Sequence, residues 1–98
     1  MTLKVAFRAA ARREFIEAVA WYEAQTPGLG LELLREVERC IASVAEHPEL
    51  YAVVRADIRR VVARRFPYAV YYRQRDDRII VLAVFHGRRH PRIWQARR

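Results

Sequence analysis

Residues 86–94 read HGRRHPRIW, with two histidines, three arginines and a tryptophan in nine positions. They follow IIVLAVF, the most apolar run in the chain. A histidine held by a rigid strand and flanked by guanidinium groups can act as a general acid or base. Its arginines could stabilise charge developing on a phosphate. His86, Arg88, Arg89 and His90 are therefore one candidate site, against the plainer reading of a structural histidine at a strand end. A second candidate is the arginine series Arg59, Arg60, Arg64, Arg65, Arg73, Arg75 and Arg78, interleaved with Phe66, Tyr68, Tyr71 and Tyr72. Cations mixed with aromatic rings suit single-stranded nucleic acid, where phosphates meet arginine and bases stack. At least two of the three tyrosines belong to packing on this reading.

Other chemistries find no support. His86 and His90 have no carboxylate or thiol near them in sequence, and Asp57, Asp76 and Asp77 form no ligand pattern, so no metal is expected. There is no phosphate-binding glycine loop, nucleophile elbow or paired catalytic carboxylate, and no cofactor is expected. Cys40 is the only cysteine, which excludes an internal disulfide.

Charge is divided unevenly along the 98 residues. Residues 1–50 carry six Lys/Arg and eight Asp/Glu, a net of −2; residues 51–98 carry thirteen Arg and three Asp, a net of +10. Together these give the net charge of +8. Such asymmetry points to an anionic partner for the C-terminal half, a nucleic acid or an acidic protein. With 53% hydrophobic and 31% charged residues, the chain fits one folded domain spanning 1–98. No apolar run nears the ~20 residues needed to cross a bilayer, and no signal-peptide pattern opens the chain, so a cytoplasmic protein without a membrane partner is expected.

The elements that must position these residues can be read from periodicity. TLKVAF (2–7) alternates Leu3, Val5 and Phe7 with more polar neighbours, a strand with one apolar face. Residues 8–25 form a helix with Ala11, Phe15, Ala18, Val19 and Tyr22 on one stripe, and with no good N-cap. TPGLG (26–30) breaks it. A second helix, 31–46, carries Leu34, Val37, Ile41 and Val44, flanked by Leu33 and Cys40, and ends at His47-Pro48. Strands follow at 57–66, 68–75 and 79–85, the last two joined by a turn at Asp76-Asp77. The expected fold is α+β in the order β-α-α-β-β-β. A helix hairpin covers one face of a small, mainly antiparallel four-stranded sheet, and the other face holds the basic surface.

In this order and spacing, Trp21-Tyr22-Glu23, Gly28-Leu29-Gly30, Ile58-Arg59-Arg60, Phe66-Pro67-Tyr68 and His86 through Trp94 resemble the RelE/ParE superfamily, toxins of type II toxin–antitoxin modules. The resemblance implies the same β-α-α-β-β-β fold and an antitoxin partner. It also implies one of two activities. RelE-like members cut mRNA, usually on the ribosome, without metal; ParE-like members poison DNA gyrase. The chain departs from the nuclease pattern twice. The strand that carries catalytic lysines in those enzymes reads Arg59-Arg60-Val61-Val62, and the arginine expected after the next strand's tyrosine is Ala69. These departures favour a ParE-like, gyrase-directed toxin, with Arg59, Arg60, Arg64, Arg65, Tyr68, Arg88, Arg92 and Trp94 as the binding residues. The alternative is a ribonuclease in which His86 and Arg89 are catalytic; a third reading is a basic interaction module without activity.

Overall fold

The computed structural model describes residues 2–86. Its elements run β1 (Lys4–Phe7), α1 (Ala9–Gln25), α2 (Leu29–Glu46), β2 (Val53–Arg55), β3 (Ile58–Val62), β4 (Tyr68–Arg75) and β5 (Arg78–His86). The two helices pack on one face of a five-stranded sheet in the order β1-β5-β4-β3-β2. The expected α+β arrangement is present, with one strand more than expected and a mixed sheet: β1 runs parallel to β5, and the other three pairings are antiparallel. The added strand is β2, whose three residues are too few to show a period of their own. It is held where it is by its surroundings. Arg59 donates from Nη1 to the carbonyls of Tyr51 (2.6 Å) and Glu49 (3.2 Å), and Arg60 N–H donates to Ala52 O at 3.1 Å. The Tyr51 and Ser43 hydroxyls pair, tying the segment before β2 back to α2.

The hairpin turns where the sequence breaks. Gly28 has φ +91°, in the left-handed region that glycine enters at no steric cost. The N-terminus of α2 then needs acceptors for its unpaired N–H groups. They come from α1: the Glu23 carboxylate accepts the N–H of Gly28 at 2.9 Å and of Gly30 at 3.0 Å. Two of the linked sequence markers, Trp21-Tyr22-Glu23 and Gly28-Leu29-Gly30, are thus joined by hydrogen bonds. A Cβ on Gly30 would sit 2.5 Å from Val19 O, so only glycine allows the helices to approach this closely.

The deepest face of α2 is Leu33, Val37, Cys40 and Val44, all buried, with Leu34 and Ile41 at its margin. The stripe is therefore turned slightly from the expected Leu34–Val37–Ile41–Val44 line. Burial pushes the Cys40 thiol pKa up, in keeping with a packing residue. These side chains meet Val61, Val70, Tyr72, Ile79, Val81 and Val84 from the sheet. Tyr72 is fully buried and donates its hydroxyl to Pro48 O at 2.7 Å; burial raises its pKa to about 12. The open face of the sheet has its own apolar cluster, including Ile58, Tyr71, Ile80, Leu82 and Phe85.

Candidate functional site

β4 and β5 do not alternate regularly. Tyr71 pairs with Ala83, but Tyr72 pairs with Val81, so Leu82 is an extra residue in β5. A bulge of this kind shifts every later side chain to the opposite face. Before it, Ile79 and Val81 face the helices; after it, Val84 does, while Ala83 and Phe85 join the open-face cluster. His86 follows Val84 onto the helix side, opposite Tyr68. Strict alternation from Ile79 and Val81 would have placed His86 on the open face with the basic strands. The bulge is why the two candidate sites of the sequence are separate.

His86 lines a cavity of ≈ 430 Å³ between α1 and the ends of β4 and β5. From the sheet come Tyr68, Val84 and His86; from α1 come Glu14, Glu17, Ala18, Trp21 and Tyr22. The α1 residues recur at spacings of three and four, which puts them on one helix face. The rings are set edge to face: Trp21–Tyr22 centroids lie 5.0 Å apart, Tyr22–Tyr68 6.1 Å and Tyr68–His86 5.4 Å. Such offset and perpendicular contacts fix the rings in orientation. β1 ends at Phe7, opposite Val81, so among the described residues the edge of β5 beyond it has no strand neighbour. Glu14 closes part of that edge, its Oε1 accepting the Val84 N–H at 3.1 Å. The expectation that His86 has no carboxylate nearby is corrected: Glu14 and Glu17, about seventy positions earlier in the chain, share its cavity. Glu14, Glu17 and Trp21 were absent from the candidate residues; their common spacing on α1 was the available signal. Among the described residues no three histidine, cysteine or carboxylate groups are gathered to hold a metal ion.

The arginine series does not form one surface. Arg60 is exposed, and its pairing with Tyr71 puts it on the open face. Arg59 pairs with Tyr72 on the helix side and is committed to the carbonyls of Glu49 and Tyr51. Arg64 and Arg65 lie in the β3–β4 turn beside α2. There Glu36 accepts two bonds from Arg39, each 2.8 Å, and the backbone N–H of Arg64. Those donors hold the Glu36 carboxyl at about 2, well below the usual carboxylate value. Arg65, at φ +70°, reaches Glu32 at 3.0 Å. Arg73 and Arg75 share Asp57, at 3.0 and 2.6 Å, and the Arg75 hydrogen bond is the main cause of the lowered Asp57 pKa. Much of the arginine excess is therefore occupied by structural acceptors. Arg88, Arg89, His90, Arg92 and Trp94 lie outside the described residues.

Residues 5–91 match the profile of a family described as ParE toxin of type II toxin-antitoxin system, parDE. Direct comparison with curated protein sequences finds no match. The fold is similar to a solved structure titled "Chromosomal ParDE TA system from P. aeruginosa", with a TM-score of 0.75 at 12% identity, covering 87% of this chain and 96% of the other. At that identity the likeness concerns the fold; the profile match spans nearly the whole sequence. The chain belongs to the ParE toxin family of type II toxin–antitoxin systems.

Proposed function

We propose that this protein is a ParE-like toxin that inhibits growth by poisoning DNA gyrase and is neutralised by a cognate antitoxin. One observation supports the choice of gyrase over mRNA: among the described residues, the groups a metal-free ribonuclease would need are dispersed. Cleavage by attack of a 2′-OH needs a proton acceptor and phosphate-binding cations around one phosphodiester. His86 faces the helix side, Arg60 the open face, and Arg65 is paired with Glu32 beside α2. Ala69, where nuclease relatives carry an arginine, is buried in the open-face cluster. A gyrase poison needs no such convergence; it needs a surface complementary to its target.

The antitoxin reading has its own support. Ile16, Trp21 and Leu31 are exposed on the hairpin, at 61%, 58% and 45%. They offer apolar ground to an amphipathic segment, and the basic half of the chain offers charge complementarity to acidic residues within it. Co-expression with a small adjacent gene encoding such a segment yields a stable complex on this reading. Recovery of the lone protein as harmless to its host would count against it.

Gyrase-dependent DNA breaks and mRNA integrity, measured in parallel with purified protein, test the target. The expected result is accumulated broken DNA with intact mRNA in a translation extract, and His86→Ala leaves the breaks unchanged. Codon-positioned mRNA cleavage without DNA breaks, lost by roughly 10²–10⁴-fold in His86→Ala, would establish the nuclease instead.

A further inference from the structure

We propose that the cleft between α2 and the β3–β4 turn binds the phosphate backbone of duplex DNA, with the Arg35 and Arg64 guanidinium groups as its cations. The cleft has a volume of ≈ 350 Å³ and is lined by Glu32, Arg35, Glu36 and Arg39 from α2 and by Arg64 and Arg65 from the turn. Both carboxylates are already engaged, Glu32 by Arg65 at 3.0 Å and Glu36 by Arg39 at 2.8 Å. Arg35 and Arg64 are exposed and make no ion pair among the described residues. Residues 87–98 contain no Asp or Glu, so wherever they lie they bring no acidic side chain to these two arginines. The cleft therefore keeps two guanidinium groups that its own carboxylates do not neutralise.

The fold holds these cations ready. The Arg64 N–H donates to Glu36 and the Arg65 side chain pairs with Glu32, so the turn is tied to α2 at both residues. The tie at Arg64 runs through its main chain and leaves the guanidinium to a ligand. Arg65 sits at φ +70°, a backbone that glycine adopts without strain. Strain of this kind is concentrated where a side chain serves binding. What the cleft lacks narrows the ligand further. Protein partners are anchored by apolar or aromatic side chains in pockets, whereas the apolar part of the described lining is Phe66 alone, 7% exposed. A ligand held by charge alone meets a better match, and phosphate accepts from guanidinium in a bidentate fork. The described lining also offers no exposed ring on which an unpaired base could stack. Duplex DNA, with one charge per roughly 1.7 Å of axis, presents phosphate densely without exposing its bases. Such contacts position a protein on DNA and carry no sequence information. The inference goes beyond the gyrase reading and does not rest on it.

Salt dependence supplies the test, because each neutralised phosphate adds about 0.9 to the slope of log affinity against log salt. Fluorescence anisotropy of a short labelled duplex of arbitrary sequence is measured with the full chain and no gyrase, from about 50 to about 200 mM salt. Arg35→Gln/Arg64→Gln should lower the slope by about 1.8, so that across this range the parent loses about tenfold more affinity than the variant. The variant keeps the Arg64 main-chain bond to Glu36, and an unchanged thermal midpoint verifies that it is folded. Arg12→Gln/Arg13→Gln removes the same charge from exposed positions on α1 and should change the slope by less than half as much. Arg35→Lys/Arg64→Lys should keep the parental slope, since counterion release follows charge. Absence of duplex binding by the parent, or equal slope changes in the two glutamine variants, overturns the site. A polyglutamate peptide that displaces the duplex from the parent at equal charge concentration would assign the cleft to an acidic protein and overturns it too.

Discussion

α1 and α2 each turn a pair of glutamates toward the sheet, with opposite results. On α2, Glu32 and Glu36 are met by Arg65, Arg39 and the Arg64 N–H, and the β3–β4 turn is fastened to the helix. On α1, Glu14 and Glu17 face aromatic rings and a histidine across a cavity. The same side chain fastens a turn in one place and lines a cavity in the other. What decides is the strand end opposite. Arg64-Arg65 closes down on α2, whereas at α1 the sheet presents the rings of Tyr68 and His86, Tyr68 meeting Tyr22 edge to face. Counting charges along the chain cannot tell these apart, because each arginine is neutralised or left available by its partner in space.

The largest expected effect comes from disturbing the hairpin on which both helix faces depend. Gly30→Ala sets a Cβ 2.5 Å from Val19 O and 2.9 Å from Glu23 Cβ, and neither helix backbone can yield cheaply. The helices must separate, and the Glu23 cap on Gly28 and Gly30 weakens with them. Overpacking of this kind costs about 1–3 kcal/mol, and loss of a cap about 1 kcal/mol more. For a domain of this size a combined loss near 3 kcal/mol lowers Tm by more than roughly 10 °C. Calorimetry checks it; a Tm within a few degrees of the parent would show that the helices are not held at the observed separation.

Next in size is the lock itself. The folded Glu36 carboxyl titrates at about 2 against an ordinary 4.5, so its ionised form is stabilised by folding. That contribution is complete above about pH 4.5 and is lost as pH falls toward 2. Glu36→Gln keeps the shape and removes the charge. It should cost about 1–2 kcal/mol at neutral pH, discounted for solvent screening, and only a small remainder at pH 2, where the folded carboxyl is half protonated. Urea unfolding across this window should show the two proteins converging as pH falls. Parallel curves would mean that the Arg39 and Arg64 contacts do not stabilise the folded state.

This contrast also marks what was legible in the sequence. Hydrophobic period alone located both helices, β1 and the β4–β5 hairpin, because each is long enough or regular enough to bury one face. It failed at β2, a three-residue strand held in place by Arg59 and the Ser43–Tyr51 pair, neither of which leaves a local pattern. It gave no face for His86, where one inserted residue, Leu82, inverts the alternation. An all-apolar run such as IIVLAVF reads the same with or without a bulge. The sequence reading kept Tyr68 and His86 in separate candidate sites, whereas in the fold they pair across β4 and β5 and line one cavity with Glu14, Glu17 and Trp21 of α1. The linkage of Glu23 to Gly30 was present in the sequence as two co-occurring markers, with no means of seeing that one caps the other.

A smaller effect is expected at Arg65, which contributes to the lock from an exposed position. Its side chain is 70% exposed and Glu32 is 44% exposed, so screening leaves the pair about 0.2–0.5 kcal/mol. Its backbone, at φ +70°, is strained for any residue with a Cβ. Arg65→Ala loses the pair and keeps the strain; Arg65→Gly loses the pair and relieves it. The glycine variant should therefore be the more stable of the two, by about 0.5–1 kcal/mol, in chemical denaturation. The reverse order would assign Arg65 a larger ionic contribution than its exposure allows.

The smallest stability effect is expected where the comparison is sharpest, at Glu17. It is exposed and, unlike Glu36, holds no turn to its helix. Glu17→Gln removes one negative charge from a protein of net charge +8, which slightly increases self-repulsion and costs no burial. Its effect on unfolding free energy should stay within about 0.5 kcal/mol, the ordinary range for surface substitutions. Denaturation curves of the two glutamine variants, run side by side at neutral pH, place the carboxylate that holds a turn and the one that lines the cavity on a single scale. A loss at Glu17 equal to that at Glu36 would mean that α1 carries a lock of its own and that the cavity is a by-product of it.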